Sequence, residues 1–384
     1  MAAFWKALAG GLLLALSLLG RPAESDKNKV SGSSTFYLGQ ERDIWRPLTH
    51  TKINFTDIVS IKSSFQLRTF DPEGTIFYGD TKRGEDWFVL SLKDGVALMQ
   101  INQLGMLISV TGGPKLNDGK WHTLEVSNQG KFVILEVDGS DRLVVGMQNE
   151  HPEEIIQGDL RLALGGILIN KDKLIVEYEP QMDGCVRDGV WLNLSIPWET
   201  EADRLWPCYQ DIQPGSYFPG TGFAVFNTSV FSIAEDDEIK IKLKGEFNQM
   251  DGTILSIKAP GQEMMFTSVV NNNTKEITLT YGGYELSVSS MYIELEITIE
   301  KDSLTLKAIE DELSSTTASA IPASHPAYGT TWRDGLLAIG GLLGESEGSQ
   351  FLSGCLKSIQ VQGKDLDLDL AHKHMSVSSH SCPA

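Results

Sequence analysis

Cysteine, histidine and positive charge are all scarce in this chain, and each shortage narrows what it can do. Among 384 residues there are four cysteines, seven histidines and 32 basic side chains against 51 acidic ones, a net charge of -19. An acid excess of that size repels phosphate backbones and sulfated glycans and opposes anionic membrane surfaces, so nucleic acid is excluded as a partner. No two cysteines stand as Cys-x-x-Cys, so their spacing does not suit zinc. The histidines are scattered, and no His-Glu-x-x-His, Gly-x-Ser-x-Gly, P-loop or dinucleotide fingerprint occurs, which argues against an enzyme and a catalytic cofactor. Beyond the N-terminus no apolar stretch approaches the ~20 residues of a membrane span, and no segment sustains a helical period.

What is present begins with a leader. Lys6 precedes an apolar run from Ala7 to Leu19, and small residues follow from Gly20 to Ala23. That three-part pattern predicts a secretory signal peptide over residues 1–23, and therefore a secreted, extracellular protein. Four N-x-[ST] sequons, at Asn54, Asn193, Asn227 and Asn272, agree with export and predict a glycoprotein. Export also places the four cysteines in an oxidising compartment. Three pairings are open to them.

The chain repeats itself. Leu162-Ala163-Leu164-Gly165-Gly166-Ile167-Leu168 is echoed by Leu337-Ala338-Ile339-Gly340-Gly341-Leu342-Leu343, and each echo is followed by a Gly-Cys pair, Gly184-Cys185 and Gly354-Cys355. Glu73-Gly74-Thr75-Ile76-Phe77 is matched by Asp251-Gly252-Thr253-Ile254-Leu255 at nearly the same offset. Two related domains follow. Their expected bounds are an N-terminal segment over 24–50, domain 1 over 51–210, a Pro- and Gly-rich linker over 211–222 and domain 2 over 223–384. Disulfides within each copy, Cys185–Cys208 and Cys355–Cys382, are the favoured pairing. Inside each copy short alternating segments, such as Ser63-Phe65-Leu67 and Phe88-Leu90-Leu92, are punctuated by turns at Asp71-Pro72-Glu73-Gly74, Lys93-Asp94-Gly95, Asn117-Asp118-Gly119 and Val137-Asp138-Gly139. Short strands at regular spacing predict an all-β fold, a sandwich in each copy.

Particular residues carry a resemblance. Ser64-Phe65-Gln66-Leu67-Arg68-Thr69, the stretch from Asp71 to Asp80, Asp118-Gly119-Lys120-Trp121-His122 and the closing Asp183-Gly184-Cys185 resemble a laminin G-like domain. Two such domains soon after a signal peptide are similar to the sex hormone-binding globulin (androgen-binding protein) family of plasma carriers. Vitamin K-dependent relatives carry Gla and EGF-like modules upstream, and the ~30 cysteine-free residues between leader and first domain are expected to leave no room for them. The resemblance implies two jelly-roll sandwiches in tandem, the first holding one androgen or oestrogen between its sheets. A steroid is a rigid apolar slab with an oxygen at each end, so it requires a long apolar slot with a few placed polar groups.

The resemblance supplies candidates for that slot. Ser63 opens an inward face and is expected to bond the ring-A oxygen. Asp86 shares a strand face with Phe88 and Leu90 and is expected to accept the hydroxyl proton at the D-ring end. Gln103 occupies the place of the family's steroid-binding asparagine, with Asn102 beside it. Parity favours Gln103, because Met99 and Ile101 share its face. Phe77, Phe88, Val126, Leu160 and Leu162 are expected as apolar walls, and Asn128 stands where the family places a methionine. Asp71 and Glu73, helped by the backbone carbonyl of Gln181, are expected to hold a structural calcium ion. The family's zinc histidines are replaced by Leu104 and Gln157, so that site is expected to be missing. His372, His374 and His380 are expected as solvated tail, and His122, beside Trp121, as structural. A homodimer through edge strands would involve Val110 and Leu143. The function so implied is a secreted carrier of androgens and oestrogens. The alternative is a receptor ligand or adhesion module that uses the same domains for protein contacts, and a receptor-facing role stays open to the second domain.

Overall fold

The computed structural model describes residues 29–30, 35–39 and 44–384, apart from 59, 61, 82, 130–131, 147–157, 193, 195–196, 201–207, 232–237, 260, 262–263, 301–302, 311–313, 321–331 and 344–349. The leader at 1–23, Asn193 and Gln157 lie outside the described residues. What is described is built of strands, with a few single-turn 3₁₀ helices between them. No helix among the described residues is long and apolar enough to cross a membrane.

Residues 29–200 form two antiparallel sheets packed face to face. One runs, edge to edge, through 29–30, 198–200, 49–54, 159–164, 74–81, 86–93, 96–103 and 106–112. The other runs through 141–146, 132–137, 122–129, 62–69, 184–191 and 36–37. Alternation drives the packing. Along Lys62–Thr69 the side chains of Ser63, Phe65 and Leu67 are buried while Ser64 and Gln66 are half-buried, as a period of two requires when one face meets a second sheet. The turns Asp94-Gly95 and Asp138-Gly139 have left-handed φ at both residues, the conformation that lets a two-residue hairpin follow the twist of its strands. Leu104-Gly105 does the same without a residue suited to it, since Leu104 sits at φ 51°.

The second sandwich repeats the first. One sheet runs through 216–219, 353–361, 239–245, 294–299, 304–309 and 315–320, the other through 284–289, 276–281, 264–271, 252–258, 336–339, 224–227 and 372–373. This corrects two expectations about domain organisation. The described residues of the segment 24–50 belong to the first sandwich: Phe36–Tyr37 pairs with Val186 and Cys185, and Leu38 and Leu48 are buried in its core. The segment 211–222 is not a free linker, because Ile212–Pro214 pairs with Ser381–Pro383 and Ser216–Pro219 pairs with the strand Ser353–Val361. Both segments do the same job, adding the outermost strand beside the Gly-Cys strand of their own domain. The disulfides join Cys185 to Cys208 and Cys355 to Cys382. Each closes a loop of 23 or 27 residues, worth about 3 kcal/mol if loop entropy dominates.

A polar joint connects the two sandwiches. The Asp183 carboxylate, buried at the start of the Gly-Cys strand, accepts hydrogen bonds from the Ser378 hydroxyl (2.6 Å), the His380 N–H (2.7 Å), the Ser381 N–H (3.0 Å) and the Ser381 hydroxyl (2.9 Å). Gln181 donates its amide to the Asp369 carbonyl at 2.9 Å. Asp369 in turn accepts from Lys373 (2.8 Å), the Ser379 hydroxyl (2.6 Å) and His380 Nε2 (2.7 Å), and Nε2 lies 3.6 Å from Asp71 of the first domain. His380 is therefore no solvated tail residue. His372 and His374 are exposed, as expected. Burial alone would lower the His380 pKa, but the Asp71 charge, the bond to Asp369 and the charges of Asp369 and Asp183 outweigh it and raise it to about 10.

Two outcomes follow from the joint. Asp183→Ala removes the acceptor of four hydrogen bonds, one from buried Ser378 and three from half-buried His380 and Ser381, and is expected to destabilise the intact chain by about 2 kcal/mol, read as a fall in denaturant midpoint. For His380 the folded pKa of about 10 exceeds the ordinary 6.5. Its contribution is therefore complete below about 6.5 and lost as pH rises through about 10. Melting temperature in EDTA should fall across that window, and His380→Gln should flatten the fall.

Candidate functional site

A cavity of about 480 Å³ opens between the two sheets of the first domain, within the size range of small-molecule sites. Its origin is local. Gly79 faces the interior between Phe88 on one neighbouring strand and Leu162 on the other. A Cβ at Gly79 would stand 2.7 Å from the Phe88 ring and 3.2 Å from Leu162. With no side chain there, the ring of Phe88 comes up against the Gly79 backbone, and both residues line the cavity.

Phe77, Phe88, Val126, Leu160 and Leu162 line the cavity, and Asn128 lies at its exposed rim. Phe55, Ile58, Ile101, Val133 and Leu192 line it as well. Sequence reasoning missed these five, because alternation alone does not separate cavity wall from filled core. It also missed the aromatic base: Phe77 meets Phe88 edge-on at 5.2 Å, and Trp191 lies 5.2 Å from Phe77, 5.3 Å from Phe65 and 5.0 Å from Trp198.

The polar candidates also meet here. Ser63 is buried, and its hydroxyl oxygen accepts the Leu192 N–H at 3.3 Å, which leaves its proton for another acceptor. Asp86 is half-buried, with Oδ1 accepting the Leu104 N–H at 2.8 Å. That bond ties the Leu104-Gly105 turn to the cavity wall. Asn102 and Gln103 both line the cavity. Asn102 is anchored through Nδ2 to the Glu85 carbonyl at 2.6 Å, and the side-chain oxygens of both Asn102 and Gln103 are buried with no hydrogen-bond partner among the described residues. A buried amide oxygen without a donor is costly, so this end of the cavity calls for a ligand that donates.

The second domain carries bulkier apolar side chains at the corresponding positions. The register that carries Gly74 onto Gly252 carries Gly79 onto Ile257, Ser63 onto Ile241 and Asp86 onto Met264. Ile257 and Ile241 are fully buried, and Tyr281, paired with Phe266 as Ile101 is with Phe88, fills more of the same space. Among the described residues, apolar side chains thus stand at the second-domain positions that correspond to Gly79, Ser63 and Asp86.

The acidic candidates lie at the joint. Asp71 Oδ1 accepts the Glu73 N–H at 2.9 Å and Oδ2 the Asp183 N–H at 2.7 Å; Glu73 accepts the Glu179 N–H at 3.0 Å and lies 3.6 Å from Lys93. The Gln181 carbonyl packs against Gly74 of the same turn. Asp71, Asp369 and His380 have ligand atoms within 4.8 Å of one another. The oxygens are of the kind calcium takes. Asp369 was not foreseen, since nothing in the sequence signals that it faces the other domain. Val110 and Leu143 sit on the outermost strands, Met106–Gly112 and Asp141–Gly146, and pack against the first-domain core. Leu104 is exposed at its turn. His122 bonds Asp138 at 2.8 Å and Asp118 at 3.0 Å, the structural part expected of it.

Comparison with known proteins agrees with this architecture. The Laminin G domain model matches residues 67–196. The chain is 32% identical to sex hormone-binding globulin of Rattus norvegicus, over 88% of this chain and 84% of that one, and 30% identical to the Homo sapiens globulin with the same coverage. Among solved structures, the LG4-5 domains of the mouse laminin alpha1 chain superpose with a TM-score of 0.63 at 18% identity, covering 99% of this chain and 100% of that one. The chain belongs to the sex hormone-binding globulin family.

Proposed function

We propose that this protein is a secreted plasma carrier that binds one androgen or oestrogen, without covalent chemistry, in the cavity of its first domain. The observation that carries this reading is an apolar cleft of about 480 Å³ with Ser63 at one part of its lining and Asp86 and Gln103 at another. A rigid ligand loses little entropy on binding, so the burial of its apolar faces is available as affinity. Ser63 bonds the ring-A oxygen. At the other end Asp86 accepts the ligand's hydroxyl, and the unpartnered Gln103 oxygen is a second acceptor there. Asn102, tied to Glu85, positions the strand end. Phe77, Phe88, Val126, Leu160, Leu162 and Asn128 form the walls. The second domain, with bulkier apolar side chains at the corresponding positions, serves assembly or a receptor. We propose further that the carrier dimerises along the edge strands bearing Val110 and Leu143.

Steroid titration of the full-length protein tests the central claim. One saturable site per chain is expected. Ser63→Ala should weaken binding by about 1–3 kcal/mol, and Gly79→Val, which refills the cleft as Ile257 does in the second domain, should abolish it while the chain still folds. Saturable binding that survives Gly79→Val would move the site elsewhere.

The same reading includes a structural calcium ion on Asp71, Glu73 and the Gln181 carbonyl, beside Asp369 of the second domain. Calcium is then expected to raise the melting temperature by mass action, and Asp71→Asn to remove that rise. No response to calcium in the unmodified protein would retire the assignment.

A further inference from the structure

Each domain carries a sequon at the end of a corresponding strand, where the asparagine caps a 3₁₀ turn. Asn54 ends the strand Thr49–Asn54 and caps a 3₁₀ turn over Phe55–Asp57; Asn227 ends Ala224–Asn227 and caps the turn Thr228–Val230. Both asparagines are exposed. At Asn54 the side-chain oxygen accepts the Thr56 N–H at 3.1 Å and the Thr56 hydroxyl at 2.9 Å. The turn thus rests on Oδ1. The side-chain nitrogen, where a sugar would be joined, takes no part in those bonds, so glycosylation leaves the cap intact.

The surroundings of the two sites differ in one respect. The residues that follow Asn54 are part of the cavity: Phe55, Ile58 and Ser60 line it, and the Ile58 N–H closes the turn onto the Phe55 carbonyl. The residues around Asn227 belong instead to the second-domain core, with Phe226 buried and Phe231 packed against it. We propose that Asn54 bears an N-linked glycan standing over the entrance of the first-domain cavity, and that this glycan controls passage of the ligand. The inference rests on the proposed carrier function. A bulky, hydrated chain rooted one residue from the lining obstructs entry and exit alike and covers the apolar rim. It touches the ligand only in transit, so it slows association and dissociation together and leaves the equilibrium unchanged.

Asn54→Asp tests this, since aspartate keeps the capping oxygen and destroys the sequon; Asn227→Asp is the matched control. Protein secreted from glycosylating cells should show the Asn54 peptide carrying sugar by mass spectrometry. Stopped-flow and ligand-chase measurements with oestradiol or testosterone should find both rate constants rising about threefold or more in Asn54→Asp, with Kd unchanged and Asn227→Asp behaving as the parent. An unmodified Asn54 peptide, or rates unaltered by the substitution, overturns the proposal. Absence of steroid binding in every form overturns the carrier reading as well, and is distinguishable because occupancy of Asn54 is read independently.

Discussion

The absence of one side chain, at Gly79, decides what the first domain is. In a β-sandwich the inner faces interdigitate at the density of an organic crystal, and a void larger than a water molecule is rare unless something holds the sheets apart. Here the strand pairing brings Phe88 and Leu162 to either side of Gly79, and the Phe88 ring lies where a Cβ would be. At the equivalent place the second domain has Ile257, and Tyr281 for Ile101, both fully buried. One strand order and one register thus yield an open cleft in one copy and bulkier apolar packing at the same positions in the other. The difference is a matter of volume at two or three inward positions, not of architecture.

The second constraint is electrostatic. Three buried carboxylates, Asp71, Asp183 and Asp369, come together where the sandwiches meet. Such a group is tolerable only if its members are bonded and its charge is offset. Backbone N–H groups, serine hydroxyls, Lys373 and His380 supply both. Asp183 is the pivot, since its N–H donates to Asp71 and its carboxylate accepts from three residues of the other domain. A protein with a net charge of -19 concentrates two of its few basic groups here. That placement explains why the expected calcium residues and the domain joint share one location.

Much of the fold was legible because it depends on local rules. Alternation at Ser63-Phe65-Leu67, the Asp-Gly turns and the echoed Gly-Gly and Gly-Cys motifs each report a strand, a hairpin or a repeat within a few residues. The cavity walls at Phe77, Phe88, Val126, Leu160 and Leu162 were legible only through family resemblance, since periodicity gives a cavity wall and a packed core the same pattern. Trp191, Phe55, Ile58 and Leu192 were missed for that reason. The segment 211–222 was misread because Pro and Gly mark both linkers and edge strands, and an edge strand tolerates a proline that a central strand does not. His380 was misread because two of its partners, Asp71 and Asp183, lie far away in sequence.

The sequence by itself determined the strands, their turns, the twofold repeat and the composition of the inward faces, all of which follow from the preferences of neighbouring residues. Tertiary structure alone decided which inward positions leave space and which fill it, that an edge strand rather than a linker begins the second domain, and that acids from both domains converge on one histidine. Those outcomes depend on distances between residues a hundred or more positions apart, and such distances are set by sheet packing rather than by local preference.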